Sequence, residues 1–337
     1  MLLIELIGLV KSYGSIEALK GLTLKIPKGS LFGLLGPNGA GKTTTLRILC
    51  TLLEPDEGQV KVAGLDALNS PRAVRKQIGY VAQEVAIDKI LTGRELLQLQ
   101  GDLYHVPKIE RDSRISELIE RLDMAKWIDR RCGTYSGGMR RRLDLSAGLL
   151  HNPQVLILDE PTVGLDIESR QTIWNLLREL VSNGTTVLLS SHYLEEVEAL
   201  ADQIAIIDNG RVIAEGTPDE LKEKLGGDRI TLKVREFSDE SESSRLKAFL
   251  QNIEGVREVV VNRSQGFSLN LVVEDKSVLD RLRQNLELAE FQVFALSQSR
   301  PSLDDVYLQA TGKTLLDAEL EVAGQRDLKL ESKQSMR

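Results

Sequence analysis

The sequence predicts an α/β fold around a buried, largely parallel sheet, followed by a smaller α+β domain. Two observations predict the first part. Short runs such as Leu31–Leu35 and Val155–Leu158 are apolar on both faces, and helical patterns separate them. A third predicts the second part: beyond Gly226-Gly227 the pattern runs strand, helix, strand, strand, helix, strand, the ferredoxin-like order. A chain of 337 residues, 42% of them hydrophobic, is long and apolar enough for both cores.

Taken in order, residues 3–10 alternate loosely and predict a strand, Tyr13-Gly14 a turn, and Leu22–Ile26 a second strand stopped by Pro27 and Gly29. Leu31–Leu35 reads as a buried central strand. It runs into Gly36-Pro37-Asn38-Gly39-Ala40-Gly41-Lys42-Thr43 and then into a helix over Lys42–Leu53. Strands are predicted over 57–64 and 77–82, the second ending at Gln83. From about Ile90 to Leu150 the text is helical, with apolar residues at i, i+3 and i+4 in Arg94–Tyr104, Arg111–Leu122 and Ser136–Leu150. Strands return at 155–159, 185–190 and 204–207. The last leads into the hairpin signal Asp208-Asn209-Gly210-Arg211, followed by Val212-Ile213-Ala214. The second domain reads as strand 229–236, helix 242–253, strands 256–262 and 267–274, helix 276–288 and strand 291–297. A short helix, Leu303–Thr311, follows Pro301. The charged tail after Gly312 lacks aromatics and is expected to be frayed.

Composition narrows the function. The net charge of −7 and pI of about 5.3 provide no global field for nucleic acid or anionic lipid. The two cysteines, Cys50 and Cys132, read as a core and a loop residue and suit a reducing compartment. Met1-Leu2-Leu3-Ile4 meets Glu5 at once, so no cleavable signal is expected. No stretch reaches the roughly 20 apolar residues that cross a bilayer, so a membrane role needs a second chain.

Three constellations carry chemistry. Gly36–Thr43 fits G-x-x-x-x-G-K-[ST]: bare backbone amides and a helix N-terminus suit phosphates, Lys42 would reach the β- and γ-phosphates of ATP, and Thr43 would help hold Mg²⁺. Asp159 and Glu160 end an apolar strand, where α/β sheets bind ligands. Asp159 suits Mg²⁺ and Glu160 suits polarisation of an attacking water. Ser136-Gly137-Gly138 opens a helix and forms a second anion site. One fold cannot easily close both anion sites on one nucleotide, whereas two head-to-tail copies can.

With these residues the chain resembles the ATP-binding cassette (ABC) ATPases over about residues 2–225. The resemblance implies a P-loop NTPase of ABC type, a mixed sheet core with an antiparallel β subdomain and a helical subdomain at about 86–152. With the composition shift at Gly226-Gly227, the expected division is a nucleotide-binding domain at 1–226, an accessory domain at 227–312 and a flexible tail at 313–337. The resemblance implies that Tyr13 stacks on adenine, that the loop from Gly36 through Thr43 and Thr44 binds nucleotide, and that Tyr135-Ser136-Gly137-Gly138-Met139 is the signature contacting the γ-phosphate across a dimer. Gln83 matches the residue that senses Mg²⁺ and the attacking water, Asp166 the loop crossing the dimer interface, and His192 the histidine that contacts the γ-phosphate. Tyr135 and Met139 stand where Leu and Gln are common, and Ala82 where Pro is common. Arg140-Arg141-Arg142 reads as a solvated helix face.

Within the family the text is similar to ATPase subunits of type-2 exporters of the daunorubicin-resistance type, through Tyr135–Leu143, the single cassette and Arg300–Tyr307. This implies two copies closing on two Mg-ATP at the cytoplasmic face of the membrane, as a peripheral subunit, to drive a separate permease. Glu84–Ile87 and the helical insert would dock it. The competing class is a soluble ABC ATPase acting on ribosomes or DNA. One cassette, no sustained heptads and an acidic balance disfavour it.

Overall fold

The structure is a computed structural model. It describes residues 1–85, 87–225, 228–233, 240–262, 267–274, 278–289, 291, 293–299 and 301–323. The chain divides into two compact units, Met1–Glu215 and Gly216–Arg337. Gly226-Gly227, expected as the boundary, lies inside the second unit.

The first unit holds two sheets. Strands β1 (Leu2–Tyr13), β2 (Ile16–Pro27), β4 (Glu57–Val62) and β5 (Leu65–Asp66) form an antiparallel sheet of order β2-β1-β4-β5. The other sheet has the order β10-β9-β3-β8-β7-β6. Its strands are β3 (Leu31–Leu35), β6 (Ile78–Val81), β7 (Val155–Asp159), β8 (Thr186–Ser191), β9 (Gln203–Asp208) and β10 (Arg211–Gly216). β9, β3, β8, β7 and β6 are parallel neighbours. Every residue of β3, β7 and β8 is buried, which explains why these strands read as apolar on both faces.

Helix α1 (Lys42–Leu49) packs against β2, β4 and β7, so it lies between the sheets, and one core runs through Leu6, Leu24, Phe32, Leu46, Ile157 and Leu188. α1 stops before the expected Leu53 because Cys50 caps it and Thr51 turns left-handed at φ 56°. The helical insert forms as expected, as α3 (Gly93–Leu103), α4 (Lys108–Arg121) and α5 (Gly137–Leu149). Among the described residues of the first unit, three further helices were not read from the sequence: α2 (Pro71–Gln77), α6 (Ile167–Ser182) and α7 (Leu194–Leu200). Asn209 (φ 46°) and Gly210 (φ 77°) make the turn between β9 and β10, matching the Asn-Gly signal.

The second unit contains α8 (Pro218–Lys224), β11 (Asp228–Lys233), α9 (Glu240–Leu250), β12 (Val256–Asn262), β13 (Ser268–Val273), α10 (Val278–Leu288), β14 (Ala295–Ser299) and α11 (Leu303–Thr311). Its sheet order is β12-β13-β11-β14, all pairs antiparallel, as the βαββαβ pattern requires. The core gathers Ile230, Leu246, Leu250, Leu271, Leu282 and Leu286. α8 packs on α11, which moves the division of the chain ahead of Gly226-Gly227. The expected strand over 234–236 lies outside the described residues. The tail departs from expectation: residues 315–323 are helical. Thr314 and Asp317 cap that turn reciprocally, and Leu315 and Ala318 are buried, so these residues are held in place. Residues 324–337 lie outside the described residues.

Candidate active site

The phosphate loop joins β3 to α1. Gly36 passes so close to β9 that a Cβ there would meet the Ile207 carbonyl oxygen at 2.3 Å. Gly41, at φ 109°, would meet the Ala18 carbonyl oxygen at 2.8 Å. Backbone geometry thus demands both glycines. The turn after β9 braces the loop, with Gly210 N–H donating to the Ala40 carbonyl at 2.9 Å. Pro37 and Ala40 are buried, Asn38 and Gly39 exposed, and Thr43 and Thr44 half-buried. Lys42 is buried. Its Nζ donates to the Gly36 carbonyl at 2.6 Å and the Pro37 carbonyl at 3.1 Å, and lies 3.7 Å from Glu160 Oε1.

Three strand ends converge on Glu160. Gln83, after β6, donates from Nε2 to Glu160 Oε2 at 3.0 Å. His192, after β8, donates from Nδ1 to Glu160 Oε1 at 3.1 Å. The carboxylate is 6% exposed. Burial alone would push its pKa up; the His192 hydrogen bond and charge, the Lys42 charge and the Gln83 hydrogen bond together hold it below the ordinary glutamate value. Glu160 is therefore ionised at neutral pH and fit to accept a proton. Its backbone stands in the left-handed region at φ 47°, an arrangement that costs of order 1–3 kcal/mol and persists where surroundings over-determine it. Its N–H donates to the carbonyl and to Oγ of Ser190, both at 3.1 Å.

Asp159 is fully buried. Its Oδ1 accepts from Ser190 Oγ at 2.5 Å, and its Oδ2 has no hydrogen-bond partner. A buried carboxylate oxygen left open suits a hard divalent cation, which takes oxygen ligands.

The other expected residues lie outside this cluster. Tyr13 ends β1 and is 46% exposed, available for stacking. Asp166 caps α6, its Oδ1 accepting from Ser169 N–H at 2.7 Å, which holds its carboxyl below the usual range. Ser136 caps α5 through Met139 N–H at 3.3 Å, while Met139 Sδ accepts from Ser136 N–H at 3.5 Å, so the thioether completes the cap that an amide would otherwise make. Ser136 and Gly137 are exposed. Gly138 is buried against α6, where a Cβ would meet Ser169 Oγ at 2.5 Å. Gly137 shares a cleft of ≈ 290 Å³ with Gln83 and Glu160.

Two expectations need correction. The Tyr135 side chain does not face the surface: it packs edge-on against Trp127, and its hydroxyl lies within 3.2 Å of Gly93 N–H and of the carbonyls of Trp127, Ile128 and Arg130. The Arg140-Arg141-Arg142 run is not a uniform solvated face. Arg140 is exposed, but Arg141 is 4% exposed and donates to the carbonyls of Ala82, Asp159, Glu160 and Pro161. Its position was legible, since Gly138, Arg141 and Leu145 share one face at i, i+3 and i+7. Sequence reasoning also missed Ser190 and Glu196. Glu196 is buried and accepts from Thr162 Oγ1 at 2.7 Å and Ser191 Oγ at 2.8 Å, tying the loop after Glu160 to the strand end before His192.

Comparison with known proteins fits this geometry. Residues 19–163 match the family described as "ABC transporter", and residues 216–311 match "ATP-binding protein DrrA1-3-like, C-terminal domain". The chain is 44% identical over 305 residues to the "Daunorubicin resistance ATP-binding protein DrrA3" of Streptomyces coeruleorubidus, covering 90% of this chain and 94% of that one. It is 41% identical over 325 residues to the "Daunorubicin/doxorubicin resistance ATP-binding protein DrrA" of Streptomyces peucetius, covering 96% and 97%. Among solved structures, a dimeric post-hydrolysis ATP-binding cassette bound to ADP and Pi superposes with a TM-score of 0.59 and 27% identity, over 64% of this chain and 98% of that one. The chain is accordingly an ABC ATPase, and it belongs with the ATP-binding subunits of the drug-resistance and export transporters.

Proposed function

We propose that the chain hydrolyses ATP with Glu160 as the group that polarises the attacking water, and that it uses the resulting cycle to drive a separate membrane permease. The observation that carries this is the convergence of Gln83, His192 and Lys42 on one buried, ionised Glu160. The carboxylate accepts a proton from water as it attacks the γ-phosphate. His192, whose Nδ1 donates to Glu160, is held as a second polar group beside that site. Lys42 leaves its two loop carbonyls to engage the β- and γ-phosphates, and Tyr13 stacks on adenine. Thr43, Asp159 and Gln83 would hold Mg²⁺ with the nucleotide, where the ion neutralises phosphate charge.

In this reading the exposed Ser136-Gly137 turn and Asp166 loop meet a second copy head to tail, so that each ATP is held by both. The apolar side chains of Val163 and Ile167 beside Asp166, 42% and 85% exposed, suit such an interface. The permease would dock in a groove of ≈ 430 Å³ where α3 and α5 face β6, lined by Leu52, Tyr80, Ile87, Leu99, Tyr104 and Asp144. Ala86, part of the expected docking segment, lies outside the described residues. No helix among the described residues is long and apolar enough to cross a membrane. We place the subunit at the cytoplasmic face of the membrane, bound through its partner. The relatives named for daunorubicin resistance make a drug the favoured cargo class.

The test is Glu160→Gln. The variant is expected to bind ATP with wild-type affinity, to lose turnover by on the order of 100-fold or more, and to accumulate as an ATP-bound dimer in size-exclusion chromatography. Wild-type turnover would remove Glu160 from this role.

A further inference from the structure

Arg141 has no part in the scheme above, yet it touches the two backbone segments that carry Glu160 and Gln83. Nε donates to the Pro161 carbonyl at 2.8 Å, Nη2 to the carbonyls of Asp159 at 2.9 Å and Glu160 at 3.0 Å, and Nη1 to the carbonyl of Ala82. Ala82 immediately precedes Gln83. The guanidinium thus spends four of its five N–H groups on the two loops that place Glu160 and Gln83. Its Nη1 also lies 3.7 Å from Asp144 Oδ2, one turn along α5. Asp144 faces the groove between α5 and β6, beside Tyr80, Leu99 and Tyr104. One residue pair therefore spans from the groove to the backbone of the catalytic carboxylates.

We infer that Arg141 is a positioning residue for hydrolysis, and that Asp144, its ion-pair partner on α5, steadies the guanidinium in that role. The left-handed backbone at Glu160 needs restraint on both sides. Ser190 supplies it at the N–H and Arg141 at the carbonyl. The inference rests on the role given to Glu160.

Arg141→Lys is the informative variant, because alanine would leave four carbonyls without their donor and is expected to fold poorly. Lysine keeps the charge but not the fork. With rates normalised to ATP-binding sites, kcat should fall by about tenfold or more, since a displacement of ~1 Å can cost ~100-fold. The KM for ATP should stay within about twofold, and an ATP-bound dimer should accumulate, as with Glu160→Gln. A wild-type kcat overturns the inference. So does a loss of kcat that comes with an equal rise in KM and a lower melting temperature, the result expected of an arginine that only supports the fold. If Arg141→Lys is slow but Glu160→Gln is not, the role of Glu160 fails instead. For the link to Asp144, Asp144→Asn and Arg141→Lys should be non-additive in kcat, the double variant lying within about twofold of Arg141→Lys alone. Additive losses break the link.

Discussion

Tyr135 shows how a residue inside a recognisable motif can serve the fold rather than the ligand. Its hydroxyl closes a ring of backbone groups inside the helical insert: it accepts from Gly93 N–H at the start of α3 and faces three carbonyls between α4 and α5. Burial pushes its pKa up to about 12, so it stays a neutral donor and acceptor at any working pH. Tyr135→Phe removes both functions and leaves Gly93 N–H without its partner in a buried site. A loss of about 1–3 kcal/mol in unfolding free energy is expected, read from urea denaturation. The dissociation constant for ATP should not move, because the ring is turned away from the surface. A variant that unfolds like wild type but binds ATP weakly would return Tyr135 to the nucleotide contact that the motif implied.

At the scale of one element, α5 is where sequence reading succeeded and where it stopped short. Its N-terminus was legible because Ser136 and two glycines make a local signal, and the observed helix begins at Gly137 with Ser136 as cap. The catalytic residues were legible for a similar reason: Lys42, Asp159, Glu160 and His192 each follow an apolar strand at short range. The roles of Arg141, Ser190 and Glu196 depend instead on groups 18 to 59 residues away or on polar atoms inside an apolar layer, which no local pattern records. Asp144 carries a testable cost of this design. Burial pushes its pKa up to about 6 from 3.8, with Arg141 only partly offsetting it. The folded state then binds more protons than the unfolded state between those values, so its contribution to stability is present below pH 4 and lost as pH rises through 6. Asparagine resembles the protonated form. Asp144→Asn should therefore be more stable than wild type at pH 7.5, by on the order of 1–3 kcal/mol, and equal to it near pH 4. Denaturation curves at the two pH values check this, and a variant less stable at pH 7.5 would contradict the direction.

At the scale of the whole chain, two cores imply two folding units, and the position of α8 decides where one ends. The first unit has its own core across two sheets, and the second has its own around β11, β12 and β13. Composition suggested Gly226-Gly227 as the boundary because glycine pairs mark linkers. α8 overrides that signal: Thr217 and Glu220 form a capping box, Pro218 starts the helix, and Leu221 and Leu225 are buried in the unit that contains α11. A chain ending at Glu215 should thus keep a complete first core, whereas one ending at Gly227 carries α8 with Leu221 and Leu225 stripped of their cover. We expect the 1–215 fragment to unfold in one cooperative transition, to bind ATP and to elute as a monomer without nucleotide. The 1–227 fragment should bind ATP too, but self-associate through the exposed helix face. Thermal scans and size-exclusion chromatography of the two fragments separate the alternatives. If 1–215 fails to fold while 1–227 folds and stays monomeric, α8 belongs to the first unit and the boundary returns to the glycine pair.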